Sequence, residues 1–203
     1  MTKKEEQNKL EELNKFLLQT SAEIINAGNH SVYNFDLYIL SIINRTIALN
    51  KAFILLIENQ NSLTAISIVR LQLDNALRLN AINVVDNIED FLNYFFEGQP
   101  INKYVVNKKK LTDGFLATEL DKKVSGALEL YNYLCDYIHF SDKYFEATKT
   151  NPLNENASFR IVVGDSDILN ENEKKEFYER ITSISNTVVK TCREWVNTKN
   201  ILK

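Results

Sequence analysis

Leu10, Leu13, Phe16, Leu17, Ile24 and Ile25 recur at spacings of three and four with Lys and Glu between them. That pattern predicts an amphipathic helix over residues 3–27 that ends at Gly28, with 28–31 as the turn. From Tyr33 to Asn59 the apolar positions become almost continuous, among them Ile39, Ile42, Ile43, Ile47, Phe53, Ile54 and Leu55, and no breaker interrupts them. A long helix buried over much of its circumference follows. Asn59-Gln60-Asn61-Ser62 is a polar break, and Asn61 or Ser62 is the N-cap expected for a third helix running to about Val85. Asp86-Asn87-Ile88-Glu89 has capping-box form and opens a short helix that stops at Gly98.

Gln99-Pro100 opens a loop, and residues 99–111 carry Lys103, Lys108, Lys109 and Lys110 with little helical period, so a mobile basic excursion is expected there. Thr112 or Asp113 can cap a helix to about Lys123. Ser125 can cap the next, which carries Leu128, Tyr131, Leu134, Cys135 and Ile138 and ends around Ser141 to Phe145. Residues 143–150 and 158–163 flank a polar stretch, and Phe159-Arg160-Ile161-Val162-Val163 is β-branched and short, which predicts a β-hairpin over 143–163. Asn170 and Glu173 can form a capping box for a last helix to about Lys199, with Phe177, Ile181, Ile184, Val188 and Trp195 at helical spacing. The fold class expected is mainly α: one multi-helix bundle of about five to seven helices over residues 1–203, with a small β-hairpin insertion and the helix over 3–27 at its periphery.

Composition narrows the picture. The chain is 44% hydrophobic and 25% charged with net charge -3, which is the profile of a globular protein without the broad positive field that drives nonspecific nucleic-acid or membrane binding. Five glycines and two prolines in 203 residues disfavour an all-β fold with many tight turns. The charged start, Met1 to Gln7, is followed by no apolar h-region, and the longest apolar run, Ala52 to Ile57, is short for a bilayer span, so a cytoplasmic location without membrane contact is expected. In that compartment Cys135 and Cys192 stay thiols. Frequent Asn, and Lys in excess over Arg, point to a bacterial source.

Two constellations have chemical content. Arg70, Asp74 and Arg78 lie at i, i+4 and i+8 on one helical stripe flanked by apolar residues. Two guanidiniums around one carboxylate leave spare donors for a phosphate or another carboxylate, and the same trio is equally a salt-bridge ladder that fixes helix register. Near the end of a later helix, Asp136 and His139 at i, i+3, followed by Ser141, allow a carboxylate to orient an imidazole for general base work; a histidine at a helix C-terminus is also favoured by the helix dipole alone. The two histidines and two cysteines show no zinc spacing, so no metal is expected. No phosphate-binding glycine loop, dinucleotide turn or nucleophile elbow occurs, and no cofactor is implied.

Arg70-Leu71-Gln72-Leu73-Asp74-Asn75-Ala76-Leu77-Arg78, together with Tyr131-x-x-Leu134-Cys135-x-Tyr137-Ile138-His139-Phe140-Ser141, resembles a group of bacterial helical proteins. Gly98-x-x-Ile101, Lys110-Leu111-Thr112-Asp113 and Glu194-Trp195 fit the same pattern. In architecture such proteins are similar to HEPN-type bundles, a superfamily that includes ribonucleases of toxin–antitoxin, abortive-infection and CRISPR-associated systems. The resemblance implies a defence-related helical protein with RNA or a partner protein as ligand. Catalytic members carry an Arg shortly before a His on one helix, and the helix leading to His139 has none. Two function classes therefore stay open. One is a metal-independent ribonuclease with His139 and Asp136 catalytic and Arg70, Asp74, Arg78 and Ser141 binding phosphate. The other is a non-enzymatic interaction or dimerisation module, a homodimer, in which the same residues are structural.

Overall fold

Thr2 Oγ1 accepts the Glu5 amide at 3.3 Å while Glu5 Oε2 accepts the Thr2 amide at 2.8 Å, so the chain enters its first helix through a reciprocal cap. The computed structural model describes residues 2–139, 141–147, 149–150, 160–161, 163–164 and 167–201. Within them the helices are α1 (Lys3–Asn26), α2 (Asn34–Glu58), α3 (Ser62–Asn80), α4 (Ile88–Phe96), α5 (Asp113–Asp121), α6 (Ala127–Ile138), the six-residue α7 (Asp142–Ala147) and α8 (Glu171–Ile201). Single 3₁₀ turns follow α1, α3 and α4. The mainly α bundle expected from the hydrophobic periods is the architecture observed.

The helix over 3–27 is a full wall of this bundle rather than a peripheral arm, because Leu10, Leu17 and Ile24, seven residues apart, are all completely buried. α1 runs antiparallel to α2, with Gln7 against Glu58 at 2.8 Å and Asn14 against Asn50 at 2.9 Å. It runs in the same direction as α8, from the Lys3–Glu171 ion pair at 2.8 Å to the Lys199 ammonium on the Ile24 carbonyl at 2.7 Å. Gly28, at φ +60°, makes the close turn around the end of α8 possible: a Cβ there would stand 2.9 Å from Lys199 Cγ. α3 is the central helix, packed by α2, α5, α6 and α8, and it buries Ala65, Ile66, Val69, Leu73, Ala76 and Leu77. Its α-helix ends at Asn80, earlier than the apolar pattern suggests, because the chain tightens into a 3₁₀ turn over Ala81–Asn83.

The lysine-rich segment expected to be a mobile loop is ordered. Val105–Val106 (β1) and Lys109–Lys110 (β2) form an antiparallel hairpin whose two turn residues, Asn107 (φ 49°) and Lys108 (φ 65°), both take the left-handed conformation of a type I′ turn. Val106 and Leu111 are buried and anchor it, which periodicity cannot reveal in so short a segment. Lys149–Thr150 (β3) pairs antiparallel with Arg160–Ile161 (β4), the second hairpin and the one the sequence predicts. It is shorter at its start than expected, since residues 142–147 continue as α7, and residues 151–159 lie outside the described set. Ser125 does not cap α6. Gly126 at φ 88° opens that helix, and the Asp121 carboxylate at the end of α5 accepts the Leu128 amide at 3.1 Å in its place. The Asn170–Glu173 box forms as expected, at 2.7 and 3.1 Å.

α2 is the one described helix long and apolar enough to cross a membrane, with mean hydropathy 1.5 over its most apolar window. It is nonetheless a core helix of the bundle, burying Asp36, Thr46 and Asn50 in protein contacts.

Candidate functional site

The stripe on α3 organises a charged cluster larger than the three residues legible in the sequence. Arg78 Nε lies 3.1 Å from Asp74 Oδ1, as the i, i+4 spacing dictates. The second Asp74 oxygen receives Arg45 Nη1 from α2 at 2.9 Å, and Arg45 also donates to Asn75 Oδ1. Asp113, the first residue of α5, bridges the two arginines of α3: its Oδ2 receives Arg70 Nη2 at 3.0 Å and its Oδ1 receives Arg78 Nη2. The Arg70 guanidinium lies 4.6 Å over the Tyr131 ring of α6. Burial opposes its charge, but hydrogen bonds to Cys135 and Asp113 prevail, and its pKa stands above the ordinary arginine value. Burial and a hydrogen bond with Cys135 likewise raise the Tyr131 phenol. Cys135 thus faces the arginine cluster, whereas Cys192 sits in the apolar core, where burial pushes its thiol up to about 12.

Three guanidiniums meet two carboxylates here, and Arg78 Nη1 is buried without a hydrogen-bond partner. From Asn75 a chain of buried amides and hydroxyls continues across the bundle. Asn75 Nδ2 donates to Thr46 Oγ1 and to Gln72 Oε1, both at 3.1 Å, and Gln72 Nε2 donates to Ser185 Oγ at 2.8 Å. Ser185 in turn donates to Asn50 Oδ1 at 3.0 Å, and Asn50 to Asn14 Oδ1 at 2.9 Å. The network links α5, α3, α8, α2 and α1, and each satisfied pair fixes the relative register of the helices it joins.

The second constellation is placed apart from the first. His139 is the C-cap of α6, its amide on the Cys135 carbonyl at 3.0 Å, and its side chain is exposed. Among the described residues no hydrogen bond or ion pair joins His139 to Asp136, Arg70 or Arg78. Ser141 Oγ donates to the Asp136 backbone carbonyl at 2.6 Å, which closes the end of α6. Neither group of described His, Cys, Asp or Glu side chains gathers as a set of three that could hold a metal ion.

Sequence reasoning passed over Arg45 and took Asp113 as a possible cap and as the end of the Lys110-Leu111-Thr112-Asp113 segment of the resemblance, not as a partner of the arginines. Arg45 did carry a signal, since it stands alone as a full charge within the apolar run from Ile39 to Ile47. A lone charge flanked by buried positions of such a helix is drawn to an opposite charge at the rim of the core. Asp113 had none beyond its place beside Thr112, whose hydroxyl caps α5 at the Phe115 amide.

No family model matches this chain, and neither does any curated protein or solved structure. The functional reading therefore rests on the molecule's own surfaces and side chains.

Proposed function

We propose that this chain is a non-enzymatic helical interaction module of the bacterial cytosol that pairs with a second copy of itself through the outer face of α1 and α2, the arginine–aspartate cluster acting as its internal brace. The observation that carries the reading is an apolar groove between the two helices, about 780 Å³ in volume, whose walls include Leu18 and Leu55 at 66% and 60% exposure over a floor containing Ile47 and Ile54. Exposed leucines of this size around a groove mark an association surface more often than a solvated face. The charges beside Leu55 suit a second copy. Lys51 and Glu58 lie four residues before and three after Leu55 on one stripe of α2, and Lys51 has no ion-pair partner among the described residues. A two-fold axis crossing α2 at Leu55 sets Lys51 of each copy against Glu58 of the other.

Light scattering during size-exclusion chromatography tests this directly. The expected result is a dimer for the native chain and a monomer of unchanged helical circular dichroism for Leu18→Asp/Leu55→Asp. A monomer at every concentration tested overturns the reading.

A second reading, a HEPN-like site holding an RNA phosphate in a defence role, is favoured by the cationic excess of the cluster and by the spare donor on Arg78. Incubation of RNA pools with the native chain and with His139→Ala, under chelation, separates the two. Cleavage lost in the variant supports the ribonuclease, and salt-sensitive binding lost in Arg78→Ala without cleavage supports a phosphate site alone. Folded protein that neither binds nor cuts RNA removes this reading and leaves the dimer.

A further inference from the structure

At the N-terminal end of α2, three aromatic rings from two distant chain segments meet at a concave surface. Trp195, from α8, stands edge-on to Tyr33 (centroids 6.0 Å apart, planes at 83°) and to Phe35 (4.8 Å, 72°). These rings and the turn leading into α4 line an open depression of about 470 Å³, whose other wall is formed by Asp86, Ile88 and Glu89. Asp86 is exposed and makes no hydrogen bond or ion pair among the described residues, and the Glu89 carboxylate accepts from the neutral side-chain amide of Asn34. The depression therefore has two carboxylates with no cation opposite them.

We propose that this depression is a binding site for an alkylammonium group, with a methylated head such as trimethylammonium as its best-fitting form. Tyr33 is exposed and Trp195 half-buried over the buried Phe35, so two rings set nearly at right angles offer aromatic surface to the depression, and a diffuse cation is stabilised by such surface without needing directed hydrogen bonds. The Ile88 side chain offers apolar contact to methyl groups, and Asp86 and Glu89 supply a negative field at the rim. Anions are disfavoured on two counts. The carboxylates repel them, and the first amides of α4, on Glu89 and Asp90, are already held by Asn87 Oδ1 at 2.9 and 3.3 Å. Lys199, 5.6 Å over the Tyr33 ring, is neutralised by Asp36 at 2.7 Å, so it does not satisfy Asp86 or Glu89. Trp195 is locked in orientation by its own hydrogen bond to Asp36 at 2.6 Å, which leaves the wall of the depression pre-formed.

Trp195 is the chain's single tryptophan, so its fluorescence reports on the site without labelling. The experiment titrates the full chain with choline, with its neutral isostere 3,3-dimethylbutan-1-ol, and with a peptide bearing trimethyl-lysine beside its unmethylated form. The expected result is a saturable change with choline and with the methylated peptide, and a response to the neutral isostere weaker by about tenfold or more. Asp86→Asn, which removes an unpaired surface carboxylate, and Tyr33→Leu, which keeps bulk but removes the ring, each weaken choline binding while the far-ultraviolet circular dichroism stays unchanged. Tighter binding of the methylated peptide than of choline identifies a protein side chain as the source of the group, and equal binding identifies a free small molecule. An absent or non-saturable response, or one equal for choline and its isostere, overturns the proposal.

Discussion

Lys199 Nζ lies 2.7 Å from Asp36 Oδ2, and neither side chain reaches solvent. The pair closes the far end of the bundle: Lys199 also donates to the Ile24 carbonyl at 2.7 Å, and the other Asp36 oxygen accepts the Trp195 indole. Two residues separated by 163 positions thereby tie the last turn of α8 to the start of α2 and the end of α1. Removing one charge strands the other in the core, so Lys199→Met or Asp36→Asn alone is expected to cost about 3–5 kcal/mol of unfolding free energy. The double variant is expected to recover part of that loss, because no uncompensated charge remains. Urea denaturation followed by circular dichroism measures all three, and single variants within about 0.5 kcal/mol of the native chain contradict a structural role for the pair.

Asp113 occupies the corresponding position in the polar cluster, since among the described residues it alone connects Arg70 with Arg78. Asp113→Ala is expected to destabilise by about 1.5–3 kcal/mol through loss of charge-assisted hydrogen bonds to two largely buried guanidiniums. Arg45→Ala is expected to cost less, under about 1 kcal/mol, because Arg45 keeps 42% of its side chain in solvent. A double-mutant cycle between Asp113 and Arg78 yields the coupling directly, and additive losses would show that the bridge contributes nothing.

The difference between these clusters and the helices shows what the sequence makes legible. Helices were visible because their signals are local: Leu10, Leu17 and Ile24 repeat within one segment, and Asn170 and Glu173 lie one turn apart. Three of the five charged residues of the arginine cluster were visible for the same reason, as Arg70, Asp74 and Arg78 share a helix. Their partners were not, since Asp113 and Arg45 reach them only through tertiary packing. Nor did anything local mark Lys199 as a core residue, because a lysine near the end of a helix ordinarily extends into water. The β1–β2 turn is an intermediate case. Asn107 favours the left-handed conformation, but the lysines around it carry no period that distinguishes a hairpin from a loop.

That turn yields a prediction of opposite sign. Lys108 holds φ 65°, a conformation that a side chain with a Cβ disfavours and that the second position of a type I′ turn reserves for glycine. Lys108→Gly creates Asn-Gly at the turn and is expected to stabilise the chain by about 0.5 kcal/mol, the strain relieved exceeding the added freedom of the unfolded chain. A thermal melt beside Lys108→Ala, which keeps the Cβ and removes the charge, distinguishes backbone relief from electrostatics. Stabilisation by alanine as large as by glycine would assign the gain to charge.

Cys192 makes stability depend on alkaline pH in a way that can be isolated. Burial raises its thiol from the ordinary 9.0 to about 12, so the folded chain keeps the proton after the unfolded chain has lost it. The unfolded state then binds fewer protons, and stability must fall as pH rises. The contribution is fully present below the unfolded value and is lost as pH climbs toward the folded one, at a limiting slope of about 1.4 kcal/mol per pH unit. Tyr38 and Tyr178, whose phenols burial also raises, add the same sign only above their ordinary value of 10.0, so the interval between about pH 8 and pH 10 belongs mainly to the thiol. Cys192→Ala gives up a small packing contribution at neutral pH and carries no such slope. Its deficit against the native chain is therefore expected to shrink through that interval in urea titrations, whereas a deficit constant with pH would mean that Cys192 ionises alike in both states.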